Sequence, residues 1–142
     1  MLTTIKGLIA SARVLWRHRL LAIKTLALLV FVRLSLTFAG YRSVLDRIAQ
    51  IKPHNRRSIS LPLLAWWVER LARYVPQATC MTQALTLRYL AAREGHPCTI
   101  RIGVRHDRGK KFEAHAWVIA EDRIVIGGLT EDTMRFTPIL DL

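Results

Sequence analysis

The apolar pattern of this chain changes period once, abruptly, across Gly95-His96-Pro97. Before that point Ala84, Leu87, Leu90 and Ala91 recur at three- and four-residue spacing, with Met81 and Leu85 beside them, which is one face of a helix. Thr79 is a good N-cap residue, Gly95 stands where a left-handed stop belongs, and Pro97 cannot continue the helix. The spacing therefore predicts a helix over 80–94. After the change, Thr99 to Val104 (TIRIGV) alternates and is β-branched, Glu113 to Ile119 (EAHAWVI) reads as a second strand, and Arg123 to Ile126 (RIVI) as a third, ended by Gly127-Gly128. RHDRGKK (105–111) is a charged turn between the first two. Glu121-Asp122 fits a two-residue hairpin turn. It would set Ala120 opposite Arg123, Val118 opposite Val125, Ala116 opposite Gly127 and His115 opposite Gly128. A helix followed by an antiparallel meander predicts an α+β fold.

The 142 residues, 51% of them apolar, suffice for one domain with a real core and are too few for two ordinary ones. Residues 1–50 contain no Pro and read as helical. Leu2, Ile5, Leu8, Ile9, Ala12, Leu15 and Trp16 share one helical face, Arg13, Arg17 and Arg19 then mark a basic break, and Gly40 is a helix stop. The polar segment Ile51 to Ser60, with Pro53, is the best linker. Ser60 is placed to cap a helix from Leu61 to Tyr74, with Pro62 in its first turn and Pro76 ending it. The expected organisation is a basic, apolar helical region with its linker over 1–60, and a core carrying the chemistry over 61–142.

The segment from Leu20 to Ala39 is apolar enough to raise the question of a membrane, but Lys24 and Arg33 interrupt it. An arginine near the bilayer centre costs roughly 2.5–3.5 kcal/mol on insertion scales. A helix buried on the protein or covered by a partner is the favoured reading, and contact with a membrane stays open. Charge is equally lopsided. Residues 1–79 hold 13 Lys/Arg against 2 Asp/Glu, whereas residues 80–142 hold 9 against 8. A basic half can meet nucleic acid, anionic lipid or an acidic peptide. No recognisable nucleic-acid motif accompanies it, so no nucleic-acid partner is expected.

Two cysteines, Cys80 and Cys98, are too few for a disulfide framework and point to a reducing compartment. Cys98 reads as a core residue where a strand begins. His96, Cys98 and His106 lack metal-ligand spacing, and no Gly-rich phosphate loop occurs, so neither a metal nor a cofactor is expected. Trp66-Trp67 reads as helix packing. Cys80 is different, being the first residue after a helix cap. Backbone N–H groups at a helix N-terminus favour negative charge, and so the nucleophilic form of a thiol. Most free cysteines are nonetheless small buried apolar residues. His115 sits mid-strand between Ala114 and Ala116, with room for another element to pack close. Alternation groups it with Glu113 and Trp117 on one face, and Ala114, Ala116 and Val118 on the other. Taken alone it is as easily a structural histidine.

Cys80-x-x-x-Ala84, with Leu87, Leu90, Arg93, Gly95, Pro97 and Ile100 to Val104, followed by Ala114-His115-Ala116-Trp117-Val118, resembles the transglutaminase-like cysteine protease superfamily. Within it the chain resembles the stand-alone leader peptidase of lasso-peptide biosynthesis. The basic-apolar N-terminal helices, LPLLAWWVERLARYVP, and Ile126-Gly127-Gly128 through Arg135-Phe136-Thr137-Pro138 extend that resemblance along the whole chain. It implies a helical half packed on or near a transglutaminase- or papain-like core, and a cytoplasmic cysteine peptidase that cuts the leader from a ribosomally made precursor peptide. It also implies two partners, a separate leader-recognition protein and an ATP-dependent lasso cyclase, with ATP belonging to the cyclase.

On that reading Cys80 is the nucleophile, His115 the general base and acid, and the Cys80 backbone N–H an oxyanion donor, with Gln77 and Gln83 as candidates for a second. The family's third residue is usually an Asp on the strand after the histidine strand. Here the hairpin count puts glycine beside His115 and Asp122 roughly 20 Å away at the far end, at about 3.3 Å per residue. Asp132, after the glycines, is the candidate. A Cys–His dyad oriented by a backbone or amide group is the open alternative. Two other functions fit the same residues: a non-catalytic basic module binding membrane or nucleic acid, and an acyl transferase using the Cys–His pair. Loss of cleavage in Cys80→Ala excludes the first, and product mass separates hydrolysis from amine transfer.

Overall fold

A computed structural model of the chain describes residues 2–53, 59–106, 109, 112–128 and 133–142, with side chains from residue 16 onward. Half of the expected linker (residues 54–58) and part of the charged turn lie outside the described residues. Among the described residues four helices precede a four-stranded antiparallel sheet, an α+β arrangement.

Helix α1 (Leu2–Phe38) is one continuous helix of 37 residues. The expected basic break is absent, since arginine is a good helix former and nothing there removes a backbone hydrogen bond. The stop is where Gly40 predicts it. Helix α1 ends at Phe38, and Gly40 takes φ +76° as helix α2 (Gly40–Ala49) begins. Leu21, Thr25, Leu29 and Val32 form the buried stripe of α1, and α2 contributes Val44 and Ile48 one turn apart. Arg33 is half-buried, donating to Thr37 Oγ1 at 2.8 Å and to Gln77 Oε1. One face of the apolar segment thus packs on the protein, while Ile23, Leu26, Val30, Leu34 and Phe38 stay exposed.

Helix α3 (Leu61–Ala72) starts at Ser60, whose backbone is extended but whose side chain makes no cap bond. It stops two residues short of Tyr74, because the chain tightens to i→i−3 bonds (Tyr74 N–H to the Leu71 carbonyl, Val75 N–H to Ala72) ahead of Pro76. Trp67 is half-buried against the core, whereas Trp66 is exposed, edge-on to Trp67 at 4.9 Å and beneath the Arg70 guanidinium. Expected packing therefore holds for only one of the two tryptophans.

Helix α4 (Cys80–Glu94) has the expected bounds. The Thr79 hydroxyl accepts from the Thr82 N–H, Gly95 is left-handed at φ 75°, and the His96 N–H returns to the Ala91 carbonyl at 2.8 Å. Helix α4 is the centre of the molecule, with Thr82, Ala84, Leu85, Thr86, Leu87, Leu90 and Ala91 all buried. Thr86 satisfies its buried hydroxyl on the Thr82 carbonyl at 2.7 Å. The predicted helical face is thus nearly a full circle, because α1 and α3 cover the side that β2 does not. Removing the cap by Thr79→Ala should cost about 1 kcal/mol, read as a drop in denaturant midpoint with unchanged m-value.

The strands are β1 (Thr99–Arg105), β2 (Glu113–Ala120), β3 (Arg123–Ile126) and β4 (Thr137–Asp141), in the spatial order β3-β2-β1-β4. Strand β4, which carries Pro138, was not among the expected strands. It occupies the edge, where a missing N–H costs little. Arg101 on β1 grips Asp141 on β4 through two bonds of 2.8 and 2.9 Å and holds that carboxyl below its ordinary range. The hairpin turn is the expected one, with Glu121 and Asp122 both left-handed at φ 49° and 60°, and Ala120 pairs with Arg123. The register beyond it is not. A bulge between Val118 and Ile119 pairs Val118 with Ile126 instead of Val125, a shift of one residue.

One core joins these parts, running from Leu29 and Val32 through Leu64, Val68, Leu85 and Leu87 to Ile100 and Val118. Cys98 belongs to it, as expected, and burial pushes its thiol up despite Arg88 nearby.

Candidate active site

Two local rules bring the predicted chemistry together. The Thr79 cap fixes Cys80 as the first residue of α4, where the helix carries roughly half a positive charge. Strand β2 carries Ala116 and Val118 in the core beneath α4, and His115 stands half-buried beside that buried run. Cys80 and His115 then line one cavity of about 340 Å³ together with Glu69, Gln83, Ile126, Gly127 and Gly128. Both are half-buried, so each keeps access to solvent.

The imidazole is held from three sides. Its ring stacks on Trp117 at 5.9 Å and 24° and leans on Phe136 at 5.3 Å. Its Nε2 meets the Gly127 carbonyl. A carbonyl only accepts, so Nε2 carries the proton and donates. Nδ1, with no hydrogen bond among the described residues, is left as the basic nitrogen. The carbonyl thus fixes the tautomer, as an orienting side chain does in a triad.

Gly127 reaches this place because it is glycine. Its φ is +105°, and a Cβ built on it would lie 2.6 Å from Trp117 Cβ and 2.9 Å from the Ala116 carbonyl oxygen. Gly103 does the same on the neighbouring strand, where a Cβ would come within 2.7 Å of the Trp117 ring and 2.9 Å of Phe136 Cβ. Both glycines let the aromatic platform under His115 close.

The other predicted residues separate. Asp132 lies outside the described residues. Asp122 sits exposed in the hairpin turn, away from the cavity. Gln83 lines the cavity, its amide turned to the Ala78 carbonyl at 3.4 Å. Gln77, left-handed at φ 58°, accepts from Arg33 and does not line it. His96 donates to the Ile59 carbonyl at 2.7 Å and ties the end of α4 to the entry of α3. Among the described residues no group of three or more His, Cys, Asp or Glu is placed to hold a metal. Two participants escaped the sequence reading. The Gly127 carbonyl has no side-chain signal. Glu69 had one, being with Asp46 one of only two acids in the first 79 residues.

A helix-borne thiol and a strand-borne imidazole line one cavity over an antiparallel sheet, the parts a thiol enzyme needs. More narrowly, the chain belongs to the transglutaminase-like superfamily, whose family model matches residues 25–141. Members of that superfamily are typically cysteine proteases or acyltransferases. No curated protein and no solved structure matches the chain.

Proposed function

We propose that this protein is a cysteine peptidase that removes the leader from a ribosomally synthesised lasso-peptide precursor. The observation that carries the reading is the shared cavity of Cys80 and a His115 whose Nε2 proton is already committed to the Gly127 carbonyl. In the proposed reaction His115 Nδ1 takes the Cys80 thiol proton. The thiolate adds to the scissile carbonyl, and the Cys80 backbone N–H faces the oxyanion that forms. Collapse breaks the C–N bond, and the imidazolium gives its proton to the departing amine of the core peptide. Water, deprotonated by the same nitrogen, then hydrolyses the thioester and frees the leader acid. The finer specificity rests on the whole-chain resemblance described above, which the superfamily match accommodates.

The same proposal includes the partners. A separate leader-recognition protein would deliver the precursor, and an ATP-dependent cyclase would consume the freed amine. The exposed apolar side of α1 is the surface we assign to membrane contact. By length and composition Trp16–Phe38 is able to cross a membrane, and Arg17 and Arg19 stand exposed at its start, placed for anionic headgroups. Co-sedimentation with anionic but not neutral vesicles is expected; equal recovery with neither would remove this part.

The test of function is incubation of the purified chain with synthetic precursor, with and without the recognition protein, and mass analysis of the products. Free leader acid and core amine, at a rate that rises strongly with the recognition protein, are expected. An intact precursor in every condition, or leader joined to an added amine in place of water, would contradict it.

Asp132 enters as a proposed charge partner of the imidazolium. Because the Gly127 carbonyl already sets the tautomer, Asp132→Asn should lower turnover by well under the ~10⁴-fold seen where an acid alone does so. Asp122→Asn should be nearly silent. Initial rates of both variants decide it, and a larger loss in Asp122→Asn would reverse the assignment.

A further inference from the structure

The cavity with Cys80 does not end at the catalytic pair. Glu69 on α3 also lines a second cavity of about 670 Å³, which runs between α3 and β3 past Trp66 and Val125 to Glu121. The two share Glu69, and β3 lines the larger with Arg123, Ile124 and Val125 and the smaller with the next residue, Ile126. Together they form one tract leading away from the nucleophile.

Three features of that tract are suited to an extended peptide. Among the described residues strand β3 is a sheet edge with no strand paired to its outer side, a place where a further strand can add. Trp66 is 47% exposed in the wall of the larger cavity, with the Arg70 guanidinium over its ring. Glu69 stands where the tract meets the catalytic cavity, exposed and without a hydrogen bond or ion pair among the described residues. Apart from His115 and Cys80 it is the only titratable side chain among the described residues lining that cavity. The charged groups farther along are Glu121 and Arg123, which offset one another, with His96 engaged on Ile59.

The sign of this charge runs against the rest of the molecule. The chain carries a net +12, yet the residue lining the catalytic cavity is a carboxylate. A bare carboxylate next to a reacting thiol discriminates among substrates by charge, favouring a cation and repelling an acid.

We infer that Glu69 is a specificity-determining residue, which holds a cationic side chain of the peptide substrate beside the scissile bond while the extended peptide lies in the tract between α3 and β3. The inference deepens the peptidase reading and rests on it for the nature of the substrate. The charge preference at Cys80 is a property of the cavity itself, so it is measured without turnover.

The experiment follows the second-order rate at which Cys80 is modified by two methanethiosulfonate reagents of equal size, one ending in an ammonium and one in a sulfonate. In each case the thiolate displaces methanesulfinate and forms a mixed disulfide. Peptide mapping separates Cys80 from the buried Cys98. Glu69→Gln is isosteric at an exposed helix position, and its fold is verified by circular dichroism. The ammonium-to-sulfonate rate ratio should fall about threefold or more in Glu69→Gln at low salt, further in Glu69→Lys, and the differences should shrink at high salt. A second arm compares precursors carrying Lys or Gln at the residues flanking the scissile bond. The wild type should prefer Lys in kcat/KM, and Glu69→Gln should lose that preference. A rate ratio unchanged in both variants would overturn the role of Glu69 whether or not any peptide is cut. A shifted ratio with no cleavage of any precursor would leave Glu69 as the charge selector and overturn the peptidase reading instead.

Discussion

Cys80→Ala and His115→Ala should each slow precursor cleavage by at least ~10³-fold, and the double variant should be no worse than either single one. Nucleophile and base act as one unit, so removing either removes the covalent route, and the residue of activity comes from binding and the oxyanion site alone. Binding of the leader should survive in both, because neither side chain is needed to hold an extended peptide in the tract. The measurements are single-turnover rates and a binding isotherm for each variant. Additive losses would mean that the two residues serve separate steps. Full activity in either would end the Cys–His account.

Gly127→Ala is expected to lose less activity but also stability, for a different reason. A backbone at φ +105° is unfavourable for any L side chain, at about 1–3 kcal/mol, and the added Cβ must displace Trp117. Displacing Trp117 tilts the platform under His115 and moves the carbonyl that holds its Nε2. A melting point lower by about 5 °C or more, with turnover down at least ~10-fold, is the expected pair of results. Stability loss alone would not prove the role of the carbonyl. Imidazole nitrogen shifts of His115 serve that purpose. The wild type should show the Nε2-protonated tautomer and the variant a mixture. An unchanged tautomer would show that something other than Gly127 orients the ring.

Local chemistry explains what was legible in the sequence. Thr79, Gly95 and Pro97 define α4 because caps and stops act within a turn, and the structure returns the same bounds. Glu121-Asp122 defines the hairpin for the same reason. The register of the hairpin was not legible. The bulge next to Val118 has no turn residue to announce it, and one extra residue moves Gly127 from its expected place opposite Ala116 to a position against Trp117. The expected contact of glycine with His115 therefore arrives through a carbonyl oxygen and not through pairing. Strand β4 was hidden by Pro138, which only edge placement tolerates. Helix α1 reads as an apolar segment interrupted by Lys24 and Arg33, and tertiary contacts alone show that one side is core and the other is bare. Glu69 was visible as a rare acid, but only the fold brings α3 to the cavity of Cys80.

The central claim is that the leader passes through a thioester on Cys80. Acid quenching during a single turnover, followed by intact-protein mass analysis and peptide mapping, tests it most directly. The account predicts a transient species heavier by the mass of the leader acyl group, with the added mass on the peptide containing Cys80 and absent from Cys80→Ala. Leader released at full rate with no such species, or the added mass on Cys98 or on no cysteine, would contradict it.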